Sequence, residues 1–130
     1  MRFIPTKVHG AMDYMTVLAL LALPRLLDFS DRATTLLTGV AIMALLYTLL
    51  TRFELGALRV LPVKVHLALD FVSGLLLVAA PFLIVPGENS TARTVMIVIG
   101  VFEIGAALMT HLHSPVETNH GGSGVAGLQH

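Results

Sequence analysis

Pro5-Thr6-Lys7-Val8-His9-Gly10-Ala11-Met12-Asp13-Tyr14 is rebuilt fifty-seven residues later as Pro62-Val63-Lys64-Val65-His66-Leu67-Ala68-Leu69-Asp70-Phe71. The register continues through Thr16 and Ser73 to Pro24 and Pro81, and ten of the twenty paired positions are identical. Each copy sits in an apolar stretch. Ionisable groups are costly in apolar helices and mark function or specific pairing there, so a duplicated His-Asp pair needs a physical reason.

Working outward, the apolar residues fall into four runs, roughly residues 8–27, 33–51, 63–85 and 92–110. Each is about 20 residues long, enough for a helix rising 1.5 Å per residue to cross a ~30 Å hydrocarbon core. Charged residues make up only 12% of the chain, against 55% hydrophobic. A soluble domain typically carries about 25% charged residues. A soluble bundle would also need polar helix faces, which these runs lack. The expected fold is therefore all-α, a four-transmembrane-helix bundle built from two parallel two-helix repeats. The repeats cover about residues 5–54 and 62–113, within one integral membrane domain at 1–113.

Turn chemistry agrees with this division. Ser30 or Asp31 can cap the second helix, and Ser90 or Thr91 the fourth. Arg52 to Pro62 reads as a loop, and Pro86-Gly87-Glu88-Asn89 as a turn. The second helices match more loosely. Arg32 and Gly39-Val40 echo Arg93 and Gly100-Val101 at a spacing of 61, whereas Thr51 echoes Thr110 at 59. Residues 114–130 are polar and Gly-rich, a composition expected to be disordered.

Several classes are excluded or disfavoured. Net charge is zero, so no nucleic-acid partner is expected. There is no cysteine, hence no disulfide, thiolate metal site or Cys nucleophile. No nucleophile elbow, phosphate loop, HExxH or dinucleotide fingerprint appears, so an enzyme is the minority reading. With no Trp, an interfacial belt would fall to Tyr14, Tyr47 and the phenylalanines. Arg2 and Lys7 ahead of an apolar run resemble a signal peptide, but the same segment recurs at 62–81, so the first helix is expected to be retained. Arg2, Lys7, Arg52, Arg59 and Lys64 outnumber Arg25, Arg32 and Arg93 on the opposite side. That places both termini in the cytoplasm of a multi-pass plasma-membrane protein.

The chemistry concentrates on two stripes. His9, Asp13 and Thr16 share one helix face, as do His66, Asp70 and Ser73. Such stripes should face the bundle interior, because unpaired polar groups in hydrocarbon cost several kcal/mol. The favoured reading is structural: imidazoles and carboxylates clamp the first and third helices together. A second has His9, Asp13, His66 and Asp70 converge on zinc, iron or manganese. A third begins a proton or ion path, and haem or quinone binding through His9 and His66 remains open. No cofactor is the first expectation. Glu103, near the middle of the fourth helix, has Ile42 or Ala44 as its repeat counterpart, so it breaks the symmetry, and it is either a neutral, bonded carboxyl or a deeper relay group. Lys7 and Lys64 are expected to snorkel to lipid headgroups. Gly39, Gly100 and their small neighbours read as helix packing. His111, His113, His120 and His130 have no recognised ligand spacing and read as adventitious.

Asp70-Phe71-Val72-Ser73-Gly74, followed by an apolar stretch and Ala80-Pro81-Phe82, resembles the SPW-repeat family of small bacterial membrane proteins. Ala80 stands for the serine of that motif and Phe82 for the tryptophan. The first copy has Val17 for the glycine and Leu23-Pro24-Arg25 at the motif. A four-helix family built on the KVHxxxD signature is the alternative. The resemblance implies a duplicated two-helix unit in a bacterial inner membrane and no particular activity. The expected protein is a small, non-enzymatic membrane component, with the lipid bilayer and a homo-oligomer or larger assembly as partners.

Overall fold

The computed structural model describes residues 2–116, folded as four helices: α1 (Thr6–Leu26), α2 (Asp31–Leu50), α3 (Val63–Leu83) and α4 (Ser90–Met109). No strand occurs among the described residues, only two isolated bridges. The helices start within two residues of the expected positions. Ser30 caps α2, its hydroxyl accepting from the Ala33 N–H. The cap of α4 is Asn89 rather than Ser90 or Thr91, its side chain accepting from the Ala92 N–H. Asn carries a carbonyl oxygen at the reach this role needs. Asp28, at φ 56°, ends the passage out of α1, and Gly87, at φ 89°, makes the turn before α4.

α2, α3 and α4 are long and apolar enough to cross a membrane. α1 has the same length but carries Lys7, His9, Asp13 and Arg25, and its composition alone does not reach that mark. Its outward face is nevertheless apolar: Val8, Met15, Leu18 and Leu26 are exposed. The other helices expose Ile42, Met43, Val72, Leu75, Val98 and Val101 in the same way. A contiguous apolar exterior of this extent suits lipid, not water.

α1 packs along α2, and α3 along α4; the two pairs meet much more sparingly. The α3–α4 approach is the closest. A Cβ built on Gly74 would lie 2.7 Å from the Gly100 carbonyl, and one on Gly100 would lie 2.6 Å from the Gly74 carbonyl. Only glycine permits that backbone contact. Gly39, by contrast, has open space beside it, so it does not serve the packing role expected of it. The apolar core lies toward the end bearing the α1–α2 and α3–α4 turns, where Leu20, Leu37, Leu77 and Met96 are fully buried.

At the opposite end the chain is tied down twice in the same way. The Phe3 and Ile4 N–H groups donate to the Met109 carbonyl, and the His111 N–H donates to Ile4. The Val60 and Leu61 N–H groups donate to the Leu50 carbonyl, and the Arg52 N–H donates to Leu61. The run into α1 therefore lies beside the run out of α4. Ser114 is buried, its hydroxyl donating to the Arg52 carbonyl, so the chain remains held at the point where a disordered tail was expected to start. The rest of that tail, from residue 117, lies outside the described residues.

Candidate functional site

His9 and His66 project from the second turn of α1 and α3, with Asp13 and Asp70 one turn further along. The two stripes meet face to face in the bundle. Each imidazole bonds most closely to the carboxylate of the other helix: His9 Nε2 lies 2.7 Å from Asp70 Oδ2, and His66 Nε2 lies 2.7 Å from Asp13 Oδ2. The carboxylate on its own helix is slightly farther, 3.2 Å for His9–Asp13 and 3.1 Å for His66–Asp70. One ligand atom from each of the four residues lies within 4.8 Å of every other.

The far side of each ring is equally ordered. His9 Nδ1 lies 2.6 Å from Thr110 Oγ1, and His66 Nδ1 lies 2.8 Å from Thr51 Oγ1. Each threonine hydroxyl donates its only proton to the carbonyl one turn back, Ala106 and Tyr47 respectively. The hydroxyl oxygen can therefore only accept from the imidazole, which fixes a proton on Nδ1. Nε2 then faces the carboxylates in one of three states. It carries a second proton, giving an imidazolium paired with aspartate; it accepts from a protonated carboxyl; or it offers a lone pair to a cation shared with the carboxylates. Two aspartates with two neutral imidazoles sum to a charge of minus two, which two protons or one divalent ion neutralises.

The surroundings are mostly buried. His9, His66 and Asp70 are buried, and Phe53, from the α2–α3 loop, covers the centre with its ring 5.8 Å from that of His66. Gly10 makes room for Phe53; any Cβ there would strike the ring. A small void bounded by Thr6, Thr51, Thr110, the two imidazoles and Phe53 separates the centre from the loop. Tyr47 donates to Asp70 Oδ1 at 2.6 Å. It is buried at the centre and does not belong to the interfacial belt in which its aromatic type would place it; the carboxylate draws its hydroxyl inward.

The other expected residues fall elsewhere. Thr16 lines an apolar groove between α1 and α4, and Ser73 one between α2 and α3 beside Tyr47. Neither belongs to the four-residue centre. Glu103 is only 6% exposed, its Oε2 has no hydrogen-bond partner, and no hydrogen bond joins it to the centre. It is still near enough to feel the charges of Asp70 and Asp13. Lys7 and Lys64 are exposed, as snorkelling requires. His111 and His113 are exposed and outside the centre, while His120 and His130 lie outside the described residues. Tyr47, Thr51 and Thr110 are the site residues that the polar stripes do not reveal. The Thr51–Thr110 echo at spacing 59 is the signal that points to two of them.

No family model matches the chain, and no curated protein and no solved structure matches it.

Proposed function

We propose that this is an integral membrane protein whose His9, Asp13, His66 and Asp70 bind one divalent transition-metal ion. The observation that carries this is the contact pattern of both rings: each Nδ1 lies on a threonine hydroxyl that itself donates to a backbone carbonyl, and each Nε2 is directed at two carboxylates. Metal-binding histidines almost always donate their other ring N–H to an oxygen acceptor, and that outer contact orients the ring. Two imidazoles and two carboxylates suit zinc, iron or manganese. The same reading takes α1 as a fourth span and the two helix pairs as copies of one unit, as in the SPW-repeat resemblance. It keeps both termini on the cytoplasmic side of a bacterial-type inner membrane.

A metal-free clamp is the second reading, and the 2.7 Å Nε2–carboxylate separations favour it, being hydrogen-bond lengths. An open ion channel has less support. Beyond the centre the bundle closes over the fully buried Leu20, Leu37, Leu77 and Met96.

Elemental analysis of the untagged, detergent-purified protein separates the two, beside a His9→Ala/His66→Ala double variant. The expected result is close to one zinc, iron or manganese per chain, lost in the double variant. Absence of metal after reconstitution with each ion, or equal metal in both proteins, overturns the metal reading in favour of the clamp.

A further inference from the structure

The two helix pairs differ in what covers their outer surface at the loop end. On the α1–α2 side the α2–α3 loop does so. The Tyr14 hydroxyl donates to the Leu55 carbonyl at 2.7 Å, and the Thr6 hydroxyl to Glu54 Oε1 at 2.7 Å. Arg59 donates to the carbonyls of Gly56 and Glu54. A cationic side chain, a helix start and an aromatic residue are thus all engaged by loop oxygens.

Fifty-seven residues away in register, the partners of Arg59, Lys7 and Tyr14 are Arg2, Lys64 and Phe71. These three border one groove on the α3–α4 side, with Leu67 and Leu108 in its walls. Its only lining residues outside the helices are Arg2 and Leu112, among the described residues. Arg2 is anchored through Nη1 to the Ala107 and Thr110 carbonyls, 3.0 and 2.8 Å away, which fixes its guanidinium at the rim. Lys64 stands exposed on the same rim, and Phe71 lacks the hydroxyl by which Tyr14 holds its loop.

We propose that this groove binds one anionic phospholipid, its phosphate between Arg2 and Lys64 and an acyl chain along Leu67, Phe71 and Leu108. Charge and polarity both point to that occupant. Two cations sit where a helix end meets the headgroup layer, and the surface running away from them is apolar. An anionic headgroup near such a cation gains Coulomb energy that a zwitterionic one largely forgoes. The ligand's oxygens would take the place that loop oxygens take on the other side. This site is separate from the His-Asp centre and does not depend on what that centre binds.

Native mass spectrometry of the full-length protein, titrated with phosphatidylglycerol or phosphatidylcholine, tests it. The expected result is one retained phosphatidylglycerol per chain and weaker retention of phosphatidylcholine. Each lost cation should weaken retention by about fivefold. Arg2 also ties down the end of α4, so Lys64→Ala alone is the decisive variant, with Lys7→Ala as its counterpart on the covered side. Selective weakening in Lys64→Ala supports the site. Equal retention of both lipids, or Lys64→Ala and Lys7→Ala behaving alike, overturns it. Displacement of the lipid by millimolar inorganic phosphate would identify a free-phosphate site instead, and a second protein copy held in the groove an oligomer interface; either outcome also overturns it.

Discussion

The α1–α2 and α3–α4 pairs contribute the same residue types to the centre and differ in almost everything around it. Histidine, aspartate and the threonine behind the imidazole occur on both sides. At the Thr51–Thr110 spacing, Tyr47 corresponds to Ala106 and Ala44 to Glu103. At the deeper contact, Gly74 stands where α1 has Val17, and Gly100 echoes Gly39, which has open space beside it. The shared residues must satisfy one another across the bundle, which forbids changing either copy alone. The unshared ones set closeness, polarity and access, and those can diverge.

The largest expected difference lies between the two aspartates. Asp70 accepts from Tyr47 and lies against both imidazoles, with its side chain 4% exposed; the Asp13 side chain is 13% exposed and has no tyrosine. Removing one partner of a buried charge pair leaves the other uncompensated, typically at a cost of about 3–5 kcal/mol. Asp70→Ala should reach that range in denaturant unfolding from detergent micelles, and Asp13→Ala should fall short of it. Equal losses would mean that Tyr47 and the deeper burial add nothing.

Packing gives the next contrast. Gly100→Ala pushes a Cβ into the Gly74 carbonyl, and backbone cannot yield as a side-chain tip does. A cost of about 1–3 kcal/mol is expected, as for other overpacked sites. Gly39→Ala, with nothing within 4 Å, should be neutral or slightly stabilising, because alanine is the better helix former. The same unfolding assay reads both. A neutral Gly100→Ala would show that the α3–α4 approach is looser than described here.

Tyr47→Phe should cost about 1 kcal/mol, within the range of about 0.6–2 kcal/mol measured for hydrogen bonds between membrane helices. If a metal is bound, the same change should weaken it about tenfold or more, as loss of an outer-shell contact does. Tyr14→Phe removes a bond to a loop carbonyl and should leave metal content untouched. Metal affinity unchanged in Tyr47→Phe would separate the tyrosine from the centre's chemistry.

Much of this was legible before the structure. Hydropathy delimits four helices, because apolar runs of about 20 residues have few other outcomes. The i, i+4 spacing puts each histidine and aspartate on one face, and the cost of lipid exposure turns that face inward. Thr16 and Ser73 keep to the same face, seven residues from each histidine, but stand about 10 Å further along the axis, beyond the four residues that converge. Tyr47 was misjudged because aromatic type suggests an interface, whereas its position is decided by a carboxylate on another helix. Which imidazole bonds to which carboxylate depends on how α1 approaches α3, and neither stripe encodes that approach by itself.

Glu103 carries the smallest expected effect and the clearest test of the asymmetry. Its Oε2 has no partner, so removing that oxygen's charge forfeits no hydrogen bond. Glutamine keeps the shape of the side chain and exchanges one carboxyl oxygen for an amide nitrogen. Glu103→Gln should therefore unfold within about 0.5 kcal/mol of the parent, the scale of changes that disturb no specific contact. Metal content should be unchanged. The reciprocal variant, Ala44→Glu, places a carboxyl at the matching depth of a position that is buried and packed into the apolar core. It should be far more destabilising, since burying an unpaired polar group costs several kcal/mol in hydrocarbon. If Glu103→Gln instead loses the metal while remaining folded, the carboxylate acts on the centre through its charge, and the α4 side supplies a fifth functional group that α2 lacks.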